Sequence, residues 1–298
     1  MDKLFGKYEV HPLEEDEEEL FEDKHDEYLD AMAPPAPDAP EEEELVFKIE
    51  DEGGNIIAGC ICDISNWSNA LIDLLWVDEQ YRRRGLASLL LREAERAARK
   101  RGCYLSILDT FDFEARPLYE KHGYTVQYVR ENWPKGHCNY TMTKRLDKPM
   151  KEYVPADHRS LKLYEIKMGT EEEADALCEK YHAHRDSAAP REHDYVNLNK
   201  KVLDEKGNTI AVIEAGVGGW NSGAVHLLWV EEPYRNQGIG AYLLSEVGKE
   251  MKENGAYVIF LEACDWAVDF FKKNGYTVIG FYEDFPRGHR LYDLKKMF

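Results

Sequence analysis

The run Leu75-Trp76-Val77-Asp78-Glu79-Gln80-Tyr81-Arg82-Arg83-Arg84-Gly85-Leu86-Ala87 returns 153 positions later as Leu228-Trp229-Val230-Glu231-Glu232-Pro233-Tyr234-Arg235-Asn236-Gln237-Gly238-Ile239-Gly240. Its surroundings return in the same order. Asp51-Glu52-Gly53-Gly54-Asn55-Ile56-Ile57-Ala58 is answered by Asp204-Glu205-Lys206-Gly207-Asn208-Thr209-Ile210-Ala211, and His122-Gly123-Tyr124-Thr125-Val126 by Asn274-Gly275-Tyr276-Thr277-Val278. Pro134-Lys135-Gly136-His137 is answered by Pro286-Arg287-Gly288-His289. A chain that repeats its elements in order builds one fold twice. The chain has 298 residues, so each copy holds about 145, enough to bury its own core. The reading is a leading domain at 1–150, a linker at 151–160 within a polar stretch that contains Pro149 and Pro155, and a trailing domain at 161–298.

Each copy reads as mixed α/β. An early helical stretch, at 14–32 or 170–184, leads to a hairpin whose turn is Gly53-Gly54-Asn55 or Lys206-Gly207-Asn208. A strand ends at Trp76-Val77 or Trp229-Val230, and a turn then opens a helix at 85–101 or 238–254. In the first of these, Leu86, Leu89, Leu90, Ala94 and Ala97 fall at helical spacing, and Gly102 or Gly255 is the stop signal. A short strand, a second helix and a final hairpin complete the copy. Four prolines make 33–40 an exposed extended loop.

The net charge of -20 is concentrated at one end. Residues 1–52 hold 21 Asp and Glu against four Lys, or -17, which leaves -3 for the remainder. Nucleic acid needs a basic footprint and is not an expected partner; a cationic molecule would be attracted. No apolar run is long enough to span a bilayer, and residues 1–22 are acidic where a targeting peptide would be basic and apolar. The expected location is the cytoplasm. Cys60, Cys62, Cys103, Cys138, Cys178 and Cys264 lack the grouping of a zinc site or a disulfide framework. They read as reduced thiols, and no metal is expected.

The chemistry is carried by a strand followed by Arg-x-x-Gly-x-(Ala/Gly) and a helix. Small residues let backbone approach a ligand closely, and the first helical turn presents unpaired N–H groups at the positive end of the helix dipole, which suits a pyrophosphate. Arg82, Arg83 and Arg84 add charge. Neither the Lys-Ser/Thr of a P-loop nor the third glycine of a dinucleotide fingerprint follows. The pattern therefore argues against nucleotide hydrolysis and hydride transfer.

Arg82-Arg83-Arg84-Gly85-Leu86-Ala87, Arg235-Asn236-Gln237-Gly238-Ile239-Gly240 and Leu118-Tyr119-Glu120-Lys121-His122-Gly123-Tyr124 resemble motifs of the GNAT N-acetyltransferases. The resemblance covers both halves. It implies two tandem acyl-CoA N-acyltransferase domains, each a splayed, mostly antiparallel sheet flanked by helices, with acetyl-CoA wedged in the gap. By the same resemblance Leu75, Trp76 and Val77 bind the pantetheine arm and acetyl carbonyl, and amides from Gln80 to Ser88 take the pyrophosphate. Leu228 to Val230 and Pro233 to Ala241 would form the equivalent second site.

Acetyl transfer to an amine needs a neutral amine and a proton for the departing thiolate. The family's acid is a tyrosine of the second helix, and Tyr119 holds that position; its counterpart is Phe271. The leading domain is therefore the better catalyst, and the trailing one reads as degenerate or regulatory. Asp73 interrupts the apolar strand Leu71-Ile72-Asp73-Leu74-Leu75, and on alternation it shares a face with Leu75 and Val77. It is a candidate base or ammonium ligand, with His226 opposite it in the repeat. Asp109, a further catalytic candidate, and Thr110 end the next strand beside the expected splay, answered by Glu262 and Ala263. His137 and His289 sit in a turn that is structural or lines the acceptor mouth.

The expected function is transfer of acetyl from acetyl-CoA to a primary amine of a small, cationic molecule or peptide by direct attack in a ternary complex, by a monomer or homodimer. The acidic 14–32 helix is expected beside the acceptor. The alternatives are a catalytically silent CoA-binding sensor or partner-binding protein, or activity residing in the trailing domain. No motif encodes the acceptor.

Overall fold

The computed structural model describes residues 8–149 and 164–298. The linker expected at 151–160 lies outside the described residues. Two compact units are present, and neither follows chain order.

Among the described residues, 35–132, 136–149 and 164–190 form the leading unit. Its sheet comprises β2 (Glu43–Glu50), β3 (Ile56–Ile64), β4 (Asn69–Val77), β5 (Leu105–Phe111), β6 (Thr125–Glu131), β7 (Cys138–Arg145) and β8 (Lys167–Met168), in the order β6-β7-β5-β4-β3-β2-β8. Only β4 and β5 run parallel, and they pair over just Asn69–Leu71 and Leu105–Ile107 before parting. α2 (Leu86–Lys100) buries Leu86, Leu90, Leu91, Ala94 and Ala98 on one face of this sheet. α3 (Arg116–Lys121) follows β5. α4 (Glu171–Ala188) covers the opposite face, where Ala174 and Leu177 pack with Val46, Ile61, Leu74 and Trp76. The approach is so close that a Cβ on Gly59 would lie 2.4 Å from a Leu177 methyl, so only glycine fits there.

The trailing unit holds residues 8–34, 133–135 and 191–298 among those described. Its sheet runs β1 (Glu9–Pro12), β10 (Lys200–Leu203), β11 (Thr209–Gly218), β12 (Ser222–Val230), β13 (Val258–Cys264), β15 (Arg290–Met297) and β14 (Thr277–Glu283), with β9 (Val196–Asn197) pairing β11. β12 and β13 are again the parallel pair and part after Val225 and Leu261. α5 (Ile239–Glu253) buries Leu243, Leu244, Val247 and Met251, and α6 (Val268–Lys273) follows β13.

The helix covering the open face of this second sheet is α1 (Glu15–Met32), through Phe21 packed with Leu13, Val212, Leu227 and Trp229. This corrects the expected grouping of residues 14–32 with the leading fold. The two early strand–helix pieces are exchanged: β1 and α1 complete the trailing sheet, while β8 and α4 complete the leading one. Both helices begin with a capping box, Glu14 with Glu17 and Thr170 with Glu173, and both bury one apolar stripe. Local sequence therefore starts each helix without specifying which of two similar sheets it covers.

Candidate active site

The loop joining β4 to α2 alternates the sign of φ. Arg83 sits at 64° and Gly85 at 86°, the latter as N-cap of α2. Residues of alternating hand turn successive N–H groups into one concavity, a nest that binds anions. The free N–H groups of Leu86, Ala87 and Ser88 extend it into the first helical turn. Gly85 needs the left-handed region, whereas Arg83 adopts it at a cost of about 1 kcal/mol.

The three arginines divide their work. Arg82 donates from Nε to the Val77 carbonyl at 3.0 Å, and Arg84 donates to the Gln80 carbonyl at 3.0 Å while lying over the Tyr81 ring. These two fasten the loop to the strand end. Ser88, buried, is held through Oγ by His122 Nε2 at 2.9 Å, and burial pushes the His122 imidazole down to about 4.

One cleft of about 1020 Å³ runs from this loop past the end of β4 to the residues that follow β5. Leu75, Trp76, Val77, Arg82, Arg83, Arg84, Gly85, Leu86, Ala87 and Ser88 line it together with Tyr119. The residues expected to hold the donor in the leading copy, Gln80 apart, thus line one cleft. Tyr119 is 7% exposed, edge-on to Tyr124, and no side chain among the described residues hydrogen-bonds its hydroxyl. Burial raises its pKa well above the usual phenol value, with Tyr181 and Glu114 adding to the effect, so the phenol keeps its proton.

Asp73 departs from the simple alternation. A β-bulge sets Ile61 opposite Leu74 and Cys62 opposite Ile72, leaving Asp73 as the extra residue. It stands exposed instead of sharing the buried face of Leu75 and Val77, which corrects the expectation. The strand's last common pair is Leu71 with Ile107. Asp73 and Asp109 therefore lie two residues on, level with each other across the gap. Asp109 accepts a hydrogen bond from Thr141 Oγ1. Asp109 is exposed on β5, and its carboxyl is raised, first by the packed surroundings that thin its hydration and more weakly by Asp73, against the lowering effect of Arg130. Burial, then Asp73 and Glu44, lift Asp63 on β3 to about 6.

Sequence reasoning missed the wall opposite. Tyr181 and His184 of α4 line the cleft with Phe113 and Glu114. The Tyr181 hydroxyl donates to Glu114 Oε1 at 3.1 Å, and Glu114 Oε2 accepts from Thr110 Oγ1 at 3.1 Å and Phe111 N at 2.9 Å. Arg185 Nε lies 3.9 Å from Glu114 Oε1. Thr110 is thus part of a clamp on Glu114. His137 points Nδ1 at Asp112 Oδ1, 3.0 Å away, and packs on Phe113; it holds the turn.

The trailing unit rebuilds the loop. Asn236 has φ 61° and Gly238 88°, and Arg235 Nε donates to the Val230 carbonyl at 2.8 Å. Gln237 Nε2 donates to the Pro233 carbonyl at 3.0 Å, and Ile239, Gly240 and Ala241 open α5. The difference lies above that first turn. A Cβ on Gly240 would meet Phe270 Cζ at 3.2 Å and Val230 Cγ2 at 3.6 Å, and Phe270 stacks edge-on to Phe271 at 5.1 Å. Two phenyl rings stand where the leading unit has Leu118 and Tyr119.

A nest beside an opened parallel strand pair is a geometry able to take an anion at the edge of the sheet. Residues 8–124 and 154–276 match the Acetyltransferase (GNAT) family. The chain belongs to that family, in tandem, and is an acyltransferase. It is 34% identical over 96 residues to the blasticidin-S acetyltransferase of Streptomyces morookaense, covering 32% of this chain and 70% of that one. It is 44% identical over 54 residues to the acetyltransferase Atu2258 of Agrobacterium fabrum, covering 18% of this chain and 39% of the relative. Among solved structures, an acetyltransferase from Bacillus cereus shares 34% identity over 46% of this chain and 96% of its own, with a TM-score of 0.43. No helix among the described residues is long and apolar enough to cross a membrane.

Proposed function

We propose that the leading unit transfers acetyl from acetyl-CoA to a primary amine of a small cationic molecule. The observation that carries this reading is that the anion nest, the splayed strands and the buried, protonated Tyr119 share one cleft. The residues present fit the donor: N–H groups from Gly85 to Ser88 would hold its pyrophosphate, and the backbone of Leu75 to Val77 would hold its arm. Bound acetyl-CoA supplies the activated thioester. The acceptor's ammonium, of pKa about 10.4, must lose a proton to attack. Asp109 and Asp73, which lie beyond the lining of the Tyr119 cleft, are the candidates to take it, and the raised pKa of the Asp109 carboxyl makes it a stronger base than a free one. The amine nitrogen then bonds to the thioester carbon, the C–S bond breaks, and the nitrogen releases its second proton to solvent as the amide forms. Tyr119 gives its proton to the thiolate and regains one from solvent.

Several carboxylates and the aromatic wall of Tyr181 and Phe113 favour a cationic acceptor. This reading does not draw on the acidic α1, which packs on the trailing sheet. A blasticidin-S acetyltransferase among the relatives agrees with a small-molecule acceptor. The test is an amine panel followed by thiol release, with mass spectrometry of the product. Amine-dependent release that disappears in Gly85→Glu supports the reading; release with no amine of the panel would contradict it.

A further inference from the structure

Beside the leading nest lies a buried hydrogen bond whose residues the trailing copy replaces. Ser88 is 4% exposed and His122 2%, and His122 Nε2 lies 2.9 Å from Ser88 Oγ. Ser88 stands in the first turn of α2 and lines the Tyr119 cleft. His122 is the C-cap of α3, where its backbone N–H donates to the Leu118 carbonyl at 3.1 Å. The helix that carries Tyr119 therefore also grips the anion loop. The aligned trailing residues are Ala241 and Asn274. Asn274 turns its amide back to the Phe270 carbonyl at 2.8 Å, and alanine has no hydroxyl to offer it.

The direction of this hydrogen bond decides what Ser88 can hold. A hydroxyl has one proton and two lone pairs. If it donates to the ring, lone pairs alone are left toward the nest, and these repel an anion. If the ring donates to it, the serine proton is free for an acceptor in the cleft. Burial, with Lys144 and Arg92 adding to the effect, keeps the imidazole neutral. A neutral ring carries a single N–H, so one of its two tautomers donates from Nε2 and the other does not. The unpaired N–H groups of the same helical turn favour an anion, and the Nε2–H tautomer makes Ser88 Oγ a further donor in that set.

We propose that His122 is a positioning residue for the acyl donor: its Nε2–H donates to Ser88 Oγ and turns the serine proton toward the donor's diphosphate. This role rests on the reading that the leading nest takes acetyl-CoA. It is tested by calorimetric titration of the full chain with CoA, with Gly238→Glu in place to close the trailing nest. Ser88→Ala and His122→Asn should each weaken CoA about tenfold, and the double variant no further than either. Asparagine ends short of the Nε2 position, whereas the glutamine amide reaches it, so His122→Gln should restore most of the affinity. In the CoA complex, 15N-histidine spectra, with His122 assigned through His122→Gln, should show Nε2 protonated. Additive losses in the double variant, equal affinities in His122→Asn and His122→Gln, or a bare Nε2 overturns the proposal while CoA still binds. No CoA binding at all overturns the reading of the nest, and this role with it. The spectra use the unsubstituted pair, so they decide the matter even if His122→Asn does not fold.

Discussion

Tyr119 is held protonated by burial against Tyr124 and Tyr181, and deleting its hydroxyl removes the proton donor while keeping the packed ring. Tyr119→Phe should lower kcat about 100-fold and leave KM for acetyl-CoA and the melting temperature nearly unchanged, as steady-state kinetics and calorimetry would show. That Gly85 and Tyr119 share one cleft was legible because both are tied to spacing along one loop or helix. The environment of Asp73 was not, since alternation assumes an unbroken ladder and the bulge inserts one residue. Glu214 gives a second prediction at this scale. Burial first, then Glu22 and Glu18, lift its carboxyl to about 7 from 4.5; the other titratable groups facing it are Tyr195 and, from β12, His226. Between those values the folded state binds more protons than the unfolded one, so stability falls as pH rises across that window. Glu214→Gln removes this loss. Chemical denaturation should find the variant more stable by on the order of 2 kcal/mol near pH 8 and equal to the parent near pH 4.

Among the elements, α2 and its partner strands were readable from a helical apolar stripe and a glycine at each end. The partner of each early helix was not, because an amphipathic helix with a capping box carries no record of which sheet it covers. Tyr181 and Glu114 were missed for that reason: Tyr181 belongs by sequence to the trailing repeat and by packing to the leading sheet. A buried charge pair ties α2 to β7, with Lys144 Nζ 2.7 Å from both oxygens of Glu95 and the two side chains 9% and 1% exposed. Glu95→Gln leaves the ammonium buried without a counter-charge and should cost about 3 kcal/mol in a urea melt. In the trailing unit the corresponding control point is α6. Phe270 packs on the first turn of α5, so Phe270→Ala should open that cleft. Calorimetric titration with CoA should then rise from one equivalent per chain toward two.

For the whole molecule, the 153-residue repeat makes two copies of one fold readable from the residues alone, and the exchange of β1–α1 with β8–α4 is what contiguous sequence conceals. Each unit takes its covering helix from the other half of the chain. A fragment ending at residue 150 therefore lacks the helix that buries Leu74 and Trp76, and it should show no cooperative unfolding by circular dichroism when produced alone. The full chain should turn over at one of its two nests. Thiol release with a responsive amine, compared between Gly85→Glu and Gly238→Glu, tests this most directly. Loss of release in Gly85→Glu with near-parental release in Gly238→Glu is predicted; loss in Gly238→Glu with retention in Gly85→Glu would contradict it.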